Sequence, residues 1–445
     1  MKKTWLFIRK QKQFINLKKL KDIDIQFDIQ MIDTTNLNKS NYDKSRKMMA
    51  LQFNGKREVK VGEVPVPVIT FSQDAIVRVT ASTICGSDLH LFHDLVPGLN
   101  KGFILGHESI GIVEEVGPGV NKFKPGDRVV ISSVIACGQC EYCKREEWSC
   151  CDFVNFSKPQ EKLYGHNTGA LFGYAESFGG FDGCQAEFVR VPIADVNLFP
   201  IPSNLTDKQA LVVADIACTG FHGTELANVQ KGDNVVIFGC GPVGLMAQMW
   251  AKYRGANTVI AIDIDEQRLQ FAKTHFGSYV INNKETDEVE AVKKIIPGGP
   301  DKVIDCVGFR FPDNALHKFA FKVGLETDCP NIVNAAIKMV RKNGTITLIG
   351  DYVSYVNQFN IGGFMEKHCT MNGGQLWPHK YYKFIFEALA GGKIDPTVVF
   401  THTYPLSKGD QAYKDFNDHT NGLLKPYLLP DSLYFQTQNK TSTLV

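Results

Sequence analysis

The sequence predicts an α/β fold with two domains, one rich in β-strands and one built on a doubly wound parallel sheet. Residues 50–200 contain short alternating or β-branched segments separated by Gly and Pro, which is typical of a β-rich domain. From about residue 212 to residue 365 the pattern becomes strand, glycine turn and helix, which indicates parallel strands joined by crossover helices. Residues 366–430 return to strands and one helix. We therefore expect residues 49–211 and 366–430 to form the β-rich domain around a parallel-sheet domain of residues 212–365.

The two ends of the chain differ from this body. Residues 1–48 carry 12 Lys or Arg and 5 Asp, a charge of +7, so the rest of the chain holds about −5. We expect them to be a poorly ordered extension, with Met48 or Met49 as the natural start of the folded part. A mitochondrial targeting segment is the alternative to a cytoplasmic protein with a dispensable extension. The polar residues 431–445 are expected to be a frayed tail.

Composition excludes several classes of protein. The 12 cysteines in 445 residues are too sparse for a disulfide scaffold. The acidic balance after residue 48 provides no basic face for nucleic acid. The longest uncharged apolar stretch, Val235–Ala251, has 17 residues and is interrupted by Gly and Pro, whereas a membrane-spanning helix needs about 20. We expect no nucleic-acid and no membrane partner.

Four cysteines are clustered with the spacing C-x2-C-x2-C-x7-C. They are Cys137, Cys140, Cys143 and Cys151. A C-x2-C spacing turns two sulfurs toward one point, and four thiolates can surround Zn²⁺ tetrahedrally at about 2.3 Å each. The spacing predicts a closed structural zinc site, with Cys150 as a competitor for the fourth position. Paired disulfides or buried free thiols are the alternative.

A glycine-rich turn follows the short apolar strand Asn234–Phe238 and precedes the helical stretch Leu245–Tyr253. The turn reads Gly239, Cys240, Gly241, Pro242, Val243 and Gly244. Glycines in this pattern allow the backbone to approach a pyrophosphate, which then lies at a helix N-terminus. The alternative is a turn that only packs a helix on a strand.

A second predicted strand, Thr258–Ile262, ends in Asp263, nineteen residues beyond Gly244. A carboxylate at this distance accepts hydrogen bonds from the ribose hydroxyls and repels a 2′-phosphate, which favours NAD over NADP. Arg268, five residues later, either braces the ribose or weakens that discrimination. Val307, after a third strand, is expected at the same cofactor-binding edge.

Two further segments carry candidate metal ligands. Cys85 lies in the segment ICGSDLH, and His107 follows Gly106. Singly, each is as easily a buried cysteine or a core histidine. The signature G-H-E-x2-G-x5-G-x2-V is matched by Gly106, His107, Glu108, Gly111, Gly117 and Val120. With these motifs, residues 49–430 resemble the zinc-containing medium-chain alcohol dehydrogenase family.

The resemblance implies a GroES-like catalytic domain, a Rossmann domain that binds NAD, and a catalytic zinc besides the structural one. By match, Cys85 and His107 are two ligands of that zinc. The third usually lies four residues before a T-G pair, a position held here by Asp215, where many alcohol dehydrogenases have cysteine. Cys218 is the rival ligand. Glu108 is implied as an inner neighbour of the metal and Asp88 as the carboxylate that orients a ligand.

Asp215, the segment 173–198 and the long segment after Gly308 are similar to the glutathione-independent formaldehyde dehydrogenase branch of this family. That likeness implies an enzyme that oxidises or dismutes formaldehyde or another small aldehyde, and a homo-oligomer, either a dimer or a tetramer. A proton relay through Ser87 and His90 is implied as well. The segment Phe309–Pro330 is either a lid or an insertion that packs on the surface or a second subunit.

Two alternatives to an aldehyde dehydrogenase stay open. Within the same family, the alternative is a polyol or secondary-alcohol dehydrogenase that uses the same zinc and NAD. In another class, it is a zinc- and nucleotide-binding protein without turnover. The complete set of Cys85, His107, Asp215, Ser87 and His90 argues against the last, because a protein without turnover has no need of an open metal site.

Overall fold

The computed structural model describes residues 36–96, 98–308, 328–352 and 355–442, with side chains to residue 438. Residues 1–35 of the predicted extension and residues 309–327 of the predicted lid segment lie outside these ranges. Among the residues that the structure describes, no helix is both long and apolar enough to cross a membrane.

The strands are β1 (Asn41–Gly55), β2 (Glu58–Val68), β3 (Ala75–Thr83), β4 (Ser109–Val116), β5 (Arg128–Ile131), β6 (Val134–Ile135), β7 (Ala170–Leu171), β8 (Phe188–Val191), β9 (Leu198–Pro200), β10 (Asn234–Phe238), β11 (Thr258–Asp263), β12 (Tyr279–Asn282), β13 (Lys302–Asp305), β14 (Thr345–Leu348), β15 (Thr370–Gly373), β16 (Phe400–Pro405) and β17 (Lys425–Leu429). The helices are α1 (Gly86–Phe92), α2 (Glu141–Lys144), α3 (Lys158–Tyr164), α4 (Ala194–Asn197), α5 (Asp207–Leu211), α6 (Ile216–Leu226), α7 (Pro242–Tyr253), α8 (Glu266–Phe276), α9 (Glu288–Ile295), α10 (Asn331–Met339), α11 (Ile361–Glu366), α12 (Pro378–Ala390), α13 (Gly409–Asn417) and α14 (Asp431–Ser442).

The β-rich part is a sheet in the order β16-β17-β3-β4-β5-β9, with β8 paired to β3. Strand β17 pairs antiparallel with β3, so that Tyr427 lies opposite Thr83. A strand from the end of the chain therefore completes a sheet begun near its start, as the two predicted β-rich stretches require. Strands β3 and β4 are antiparallel neighbours, and this pairing brings the segments that follow β3 and precede β4 together.

The second sheet has the order β12-β11-β10-β13-β14-β15 and is parallel throughout. Its central strands are apolar and buried, as expected where helices cover both faces. The strand order reverses between β10 and β13, and ligands of doubly wound sheets bind at such a switch point. The predicted doubly wound sheet is confirmed.

Helix α6 joins the two parts, because it packs against α7 of the parallel-sheet domain. Gly220 in α6 makes this packing close, since a Cβ there would lie 2.5 Å from the Cβ of Met246. The close contact fixes the N-terminus of α6, where Asp215 is the N-cap residue.

The ordered part of the chain begins earlier than the predicted start at Met48 or Met49. Strand β1 begins at Asn41 and pairs with β2 from Asn41 opposite Val68 onward. The buried guanidinium of Arg190 pairs with Asp74 at 3.1 Å and donates to the backbone oxygen of Leu37 and, at 2.9 Å, to the hydroxyl of Ser40. These contacts hold residues 37–40 against the sheet.

The predicted frayed tail after Pro430 is also different in the structure, because residues 431–442 form helix α14. The Asp431 carboxylate accepts a hydrogen bond from the backbone of Ser407 at 2.9 Å, and Tyr434 packs against the main core. The polar composition of this segment concealed the single aromatic residue that packs it against the rest of the molecule.

Candidate functional site

The first candidate metal centre lies where β3 ends and β4 begins. Cys85 is the N-cap residue of α1, and His107 and Glu108 directly precede β4. All three are buried, and one ligand atom from each lies within 4.8 Å of the others. A buried thiol, imidazole and carboxylate at this separation fit a zinc ion, whose preferred protein ligands are sulfur, nitrogen and oxygen.

Asp215 approaches this group from α6. Its Oδ2 lies 3.7 Å from Nε2 of His107, and its Oδ1 accepts a hydrogen bond from the Thr219 hydroxyl at 2.8 Å. Burial, with the negative charge of Glu108, raises the pKa of Asp215 to about 6. The three residues whose ligand atoms lie within 4.8 Å of one another are Cys85, His107 and Glu108, so Asp215, the predicted third ligand, is not among them. Asp215 therefore faces His107 from the side of the nucleotide domain.

Cys218, the rival to Asp215, has a different neighbour. Its thiol donates to the carbonyl oxygen of Val213 at 3.1 Å. Neither Asp215 nor Cys218 belongs to the group of mutually close ligand atoms, but the Asp215 carboxylate lies 3.7 Å from Nε2 of His107. The geometry favours the carboxylate over this thiol.

Sequence reasoning missed a buried ion pair between Lys425 and Glu108, which lies against Cys85 and His107. The ammonium of Lys425 in β17 donates to Oε1 of Glu108 at 2.8 Å and to the carbonyl oxygen of Ile84 at 3.3 Å. Both charged side chains are 0% exposed. Burial lowers the pKa of Lys425, but the nearby charges of Glu108 and Cys85 outweigh burial and raise it. The sequence signal was a lone lysine within the apolar run Leu423–Leu429.

Asp88 contacts both candidate metal ligands, Cys85 and His107. Its Oδ1 is 3.4 Å from Nδ1 of His107, and its Oδ2 accepts hydrogen bonds from the Cys85 backbone at 2.9 Å and from Gln185 at 3.2 Å. Gln185, which the sequence did not single out, accepts in turn from the buried Tyr413 hydroxyl at 2.8 Å. This network sets the orientation of the imidazole, so that its Nε2 faces Asp215.

The two predicted relay residues lie on α1. The Ser87 hydroxyl is 3.4 Å from Nε2 of His107. His90 points toward the nucleotide domain, since its Nε2 is 4.0 Å from Oδ2 of Asp351 and 3.9 Å from the position of a Cβ on Gly308. Helix α1 therefore places the Ser87 hydroxyl beside His107 and the His90 imidazole beside the residues that follow β13 and β14 of the parallel sheet.

The second candidate metal centre is the cysteine cluster. The sulfurs of Cys137, Cys140, Cys143 and Cys151 are buried and lie within 4.8 Å of one another. Backbone N–H groups of Gln139 and Cys140 donate to the Cys137 sulfur at 3.4 and 3.3 Å, an arrangement that stabilises thiolates. The described cysteines form no disulfide. Four convergent thiols without a disulfide fit a closed zinc site, and Cys150 is not among them.

This cysteine lobe is attached to α12 by aromatic and polar contacts. The Trp148 ring stacks on the His379 ring with centroids 4.6 Å apart. The Trp377 indole donates to the Ser149 hydroxyl at 3.0 Å. Contacts with His379 and Trp377 therefore hold the cysteine lobe against the start of helix α12.

The glycine turn lies at the switch point of the parallel sheet. Gly239 has φ +93°, a conformation that favours glycine. A Cβ on Gly244 would lie 1.9 Å from the Gly239 carbonyl oxygen, whereas a Cβ on Gly241 would meet nothing closer than Nη1 of Arg268 at 3.8 Å. The space beside Gly241 and the free N–H groups at the start of α7 fit a dinucleotide pyrophosphate.

The other predicted cofactor residues surround this turn. The Asp263 carboxylate accepts hydrogen bonds from the backbone of Cys240 at 2.6 Å and of Ile264 at 2.7 Å. Val307 follows β13, and its side chain lies 3.3 Å from the position of a Cβ on Gly239. Helix α7 starts at Pro242, so Pro242 and Val243 form its first turn. All of these residues lie at the carboxyl edge of the sheet.

Sequence families match both parts of the chain. Residues 72–203 match the family described as alcohol dehydrogenase GroES-like domain. Residues 242–322 match the family described as zinc-binding dehydrogenase. These matches and the parallel sheet confirm the predicted GroES-like and Rossmann-type architecture.

Known proteins are similar to this chain over most of its length. A zinc-type alcohol dehydrogenase-like protein of Schizosaccharomyces pombe is 42% identical over 382 residues, 85% of this chain and 90% of that protein. A glutathione-independent formaldehyde dehydrogenase of Bacillus subtilis is 32% identical, over 80% of this chain and 86% of that protein. The structure of an alcohol dehydrogenase from Thermus sp. ATN1 has 34% identity and a TM-score of 0.73, over 86% of this chain and all of that one.

Proposed function

Because this chain belongs to the zinc-type medium-chain alcohol dehydrogenase family, we propose that it oxidises a small aldehyde, formaldehyde above all, with NAD and without glutathione. The observation that carries the proposal is the buried set of Cys85, His107 and Glu108, with Asp215 facing His107 from the nucleotide domain. The aspartate at this position and the similarity to a glutathione-independent formaldehyde dehydrogenase support a small aldehyde as the substrate.

Each residue of the proposed site has a definite task. Cys85, His107 and Asp215 would hold the catalytic zinc, Asp88 orients the imidazole of His107, and Lys425 pairs with Glu108 beside these ligands. When bound, the zinc supplies a Lewis acid and NAD supplies the hydride acceptor. Zinc itself has no redox chemistry, so the chain must also hold the nucleotide.

The chain's own residues handle the proton and the nucleotide. The Ser87 hydroxyl can both accept and donate a proton beside the ligands, and the imidazole of His90 can carry that proton toward solvent. The turn from Gly239 to Gly244 would hold the pyrophosphate and Asp263 the ribose. With NAD bound, this site would convert a hydrated aldehyde to the acid, with the hydride going to NAD and the proton to the relay. With NADH retained, it would return both to a second aldehyde and give the alcohol.

The experiment is an assay of the purified, zinc-loaded chain with NAD and no glutathione. We expect formaldehyde to give formate, with methanol formed when the NADH is not removed, both measured by NMR. Turnover of polyols or secondary alcohols in place of formaldehyde would contradict the substrate proposal. Absence of NAD reduction with any of these compounds would contradict an enzymatic role.

The third zinc ligand is tested with a matched pair of variants. D215A should lose one zinc and at least about a hundredfold in activity, because it removes a carboxylate from the metal. C218A should keep both zinc ions, since its thiol contacts the Val213 carbonyl. The reverse result would show that the thiol is the ligand. Zinc content is measured by mass spectrometry of the metal.

A further inference from the structure

A loop of the β-rich domain reaches the dinucleotide turn. His419 lies between α13 and β17, and its Nε2 is 2.9 Å from Nη2 of Arg268 in α8. Its Nδ1 is 3.1 Å from Oδ2 of Asp265, the N-cap residue of that helix. His419 has φ +53°, a left-handed conformation that costs a non-glycine residue free energy and is retained where other contacts hold it.

The two contacts specify the protonation state of the imidazole. A guanidinium only donates hydrogen bonds, so Nε2 must accept from Arg268. The proton is then on Nδ1, which donates to the Asp265 carboxylate. Only the neutral imidazole with this tautomer makes both bonds, and a protonated His419 would place a second donor and a second positive charge against Arg268.

Arg268 is the residue through which His419 reaches the cofactor site. Its Nη1 lies 3.8 Å from the position of a Cβ on Gly241. Its Nε is buried and has no hydrogen-bond partner among the described residues. The guanidinium thus has an unpaired donor in Nε and places Nη1 beside Gly241, where the pyrophosphate is proposed, while its Nη2 is held by the loop.

We propose that His419 determines specificity for the dinucleotide, because it holds Arg268 in place while neutral and releases it when protonated. The inference rests on the proposed function, since it takes the glycine turn to bind a nicotinamide dinucleotide. A released Arg268 beside a protonated His419 offers two positive charges near the ribose. Two cations favour a nucleotide with a 2′-phosphate, whereas Asp263 disfavours it.

The charged groups around His419 fix the direction of the pH dependence. Arg268, Asp265 and, further away, Asp263 face it from the nucleotide domain. On its own loop, Asp418 pairs with Arg57 at 3.5 Å. Burial and the charge of Arg268 outweigh the carboxylates and lower the pKa of His419. The neutral form therefore persists at neutral pH, and protonation occurs on acidification below the usual histidine range near 6.5.

The test is the affinity of the zinc-loaded full chain for NADH and for NADPH, measured by nucleotide fluorescence at pH 8.0 and at the lowest pH at which the chain stays folded. For the natural chain we expect the preference for NADH over NADPH to fall by roughly fivefold at the lower pH. H419N should keep the preference seen at pH 8.0 but show a smaller change. An amide also accepts from Arg268 and donates to Asp265 without titrating, and asparagine tolerates the left-handed backbone.

A matched control lies in the same loop. Asn421 is exposed and also left-handed, with φ +52°, so N421A perturbs the backbone of the same loop while the contacts of His419 with Arg268 and Asp265 are kept. It should retain the pH dependence of the natural chain. If H419N retains the full change, or if the natural chain shows none, the inference is wrong. If the natural chain binds neither nucleotide, the proposed function itself is wrong.

Discussion

The pair formed by Lys425 and Glu108 shows what single residues contribute to this site. A buried lysine and a buried glutamate are each costly to desolvate, and their mutual attraction offsets that cost only while both are present. Glu108 lies against Cys85 and His107, so the lysine also places a positive charge close to the candidate metal ligands.

Replacing Lys425 with Met should lower the free energy of unfolding by about 3–5 kcal/mol, because Glu108 would be left charged and unpaired in the interior. The double variant K425M/E108Q should recover part of this loss, since the uncompensated charge is gone. Urea unfolding of the zinc-loaded protein measures both effects.

The exposed pair of Lys144 and Glu141 provides the control. Its side chains are 59% and 70% exposed, so K144M should change the free energy of unfolding by less than about 0.5 kcal/mol. Equal losses in K425M and K144M would contradict the role of burial.

Sequence reasoning located Cys85, His107 and Asp215 because each lies in a short motif. It missed Lys425 and Gln185 because their function depends on contacts between distant parts of the chain. Lys425 is 317 residues from Glu108, and no local periodicity indicates such a pairing. A lone charge in an apolar strand was the one available signal.

At the scale of elements, the central strands were predicted nearly to the residue, while the start of β1 was not. Strands such as β10 are continuous apolar runs bounded by glycine, and burial on both faces leaves a clear pattern. The residues of β1 that precede the buried Met48 are largely exposed on both faces of the strand. Their charges look like those of a disordered extension, although they pair with β2.

Two glycines of the turn can be compared: Gly244 is required for packing, whereas Gly241 is proposed to be required for nucleotide binding. G244A should fail to fold or lose more than about 4 kcal/mol, because its Cβ would overlap the Gly239 carbonyl oxygen at 1.9 Å. G241A should fold normally, since φ is −69° and its Cβ has space. It should bind NADH at least about tenfold more weakly, because the methyl group occupies the approach of the pyrophosphate.

Circular dichroism and NADH fluorescence separate these two outcomes. Unchanged NADH affinity in a folded G241A protein would mean that the turn does not contact the nucleotide, which would contradict its assignment as a cofactor site.

At the scale of the whole molecule, the two candidate metal centres have different structural supports. Cys85 and His107 lie at the ends of two strands of the β-rich sheet, whereas the cysteine lobe is built on the short helix α2, the two-residue strand β6 and contacts with α12. The homo-oligomer implied by the resemblance stays a prediction.

Removing one ligand from each centre should therefore have unequal effects on stability. C140A and C85A should each lose one of two zinc ions. The unfolding temperature should fall further in C140A, because metal binding supplies most of the folding free energy of a small lobe. Metal analysis and differential scanning calorimetry provide the comparison, and an equal fall in both variants would contradict it.

The pairing of β17 with β3 has a consequence for biosynthesis. The nucleotide-binding half needs nothing beyond β15 for its sheet, so it can collapse while the ribosome is still translating. The candidate catalytic centre must wait, because Lys425, which pairs with its Glu108, is translated 317 residues later than that glutamate. Nascent chains halted before residue 425 should therefore have an assembled nucleotide fold but an unfinished metal pocket, which makes zinc capture a late event in the maturation of this protein.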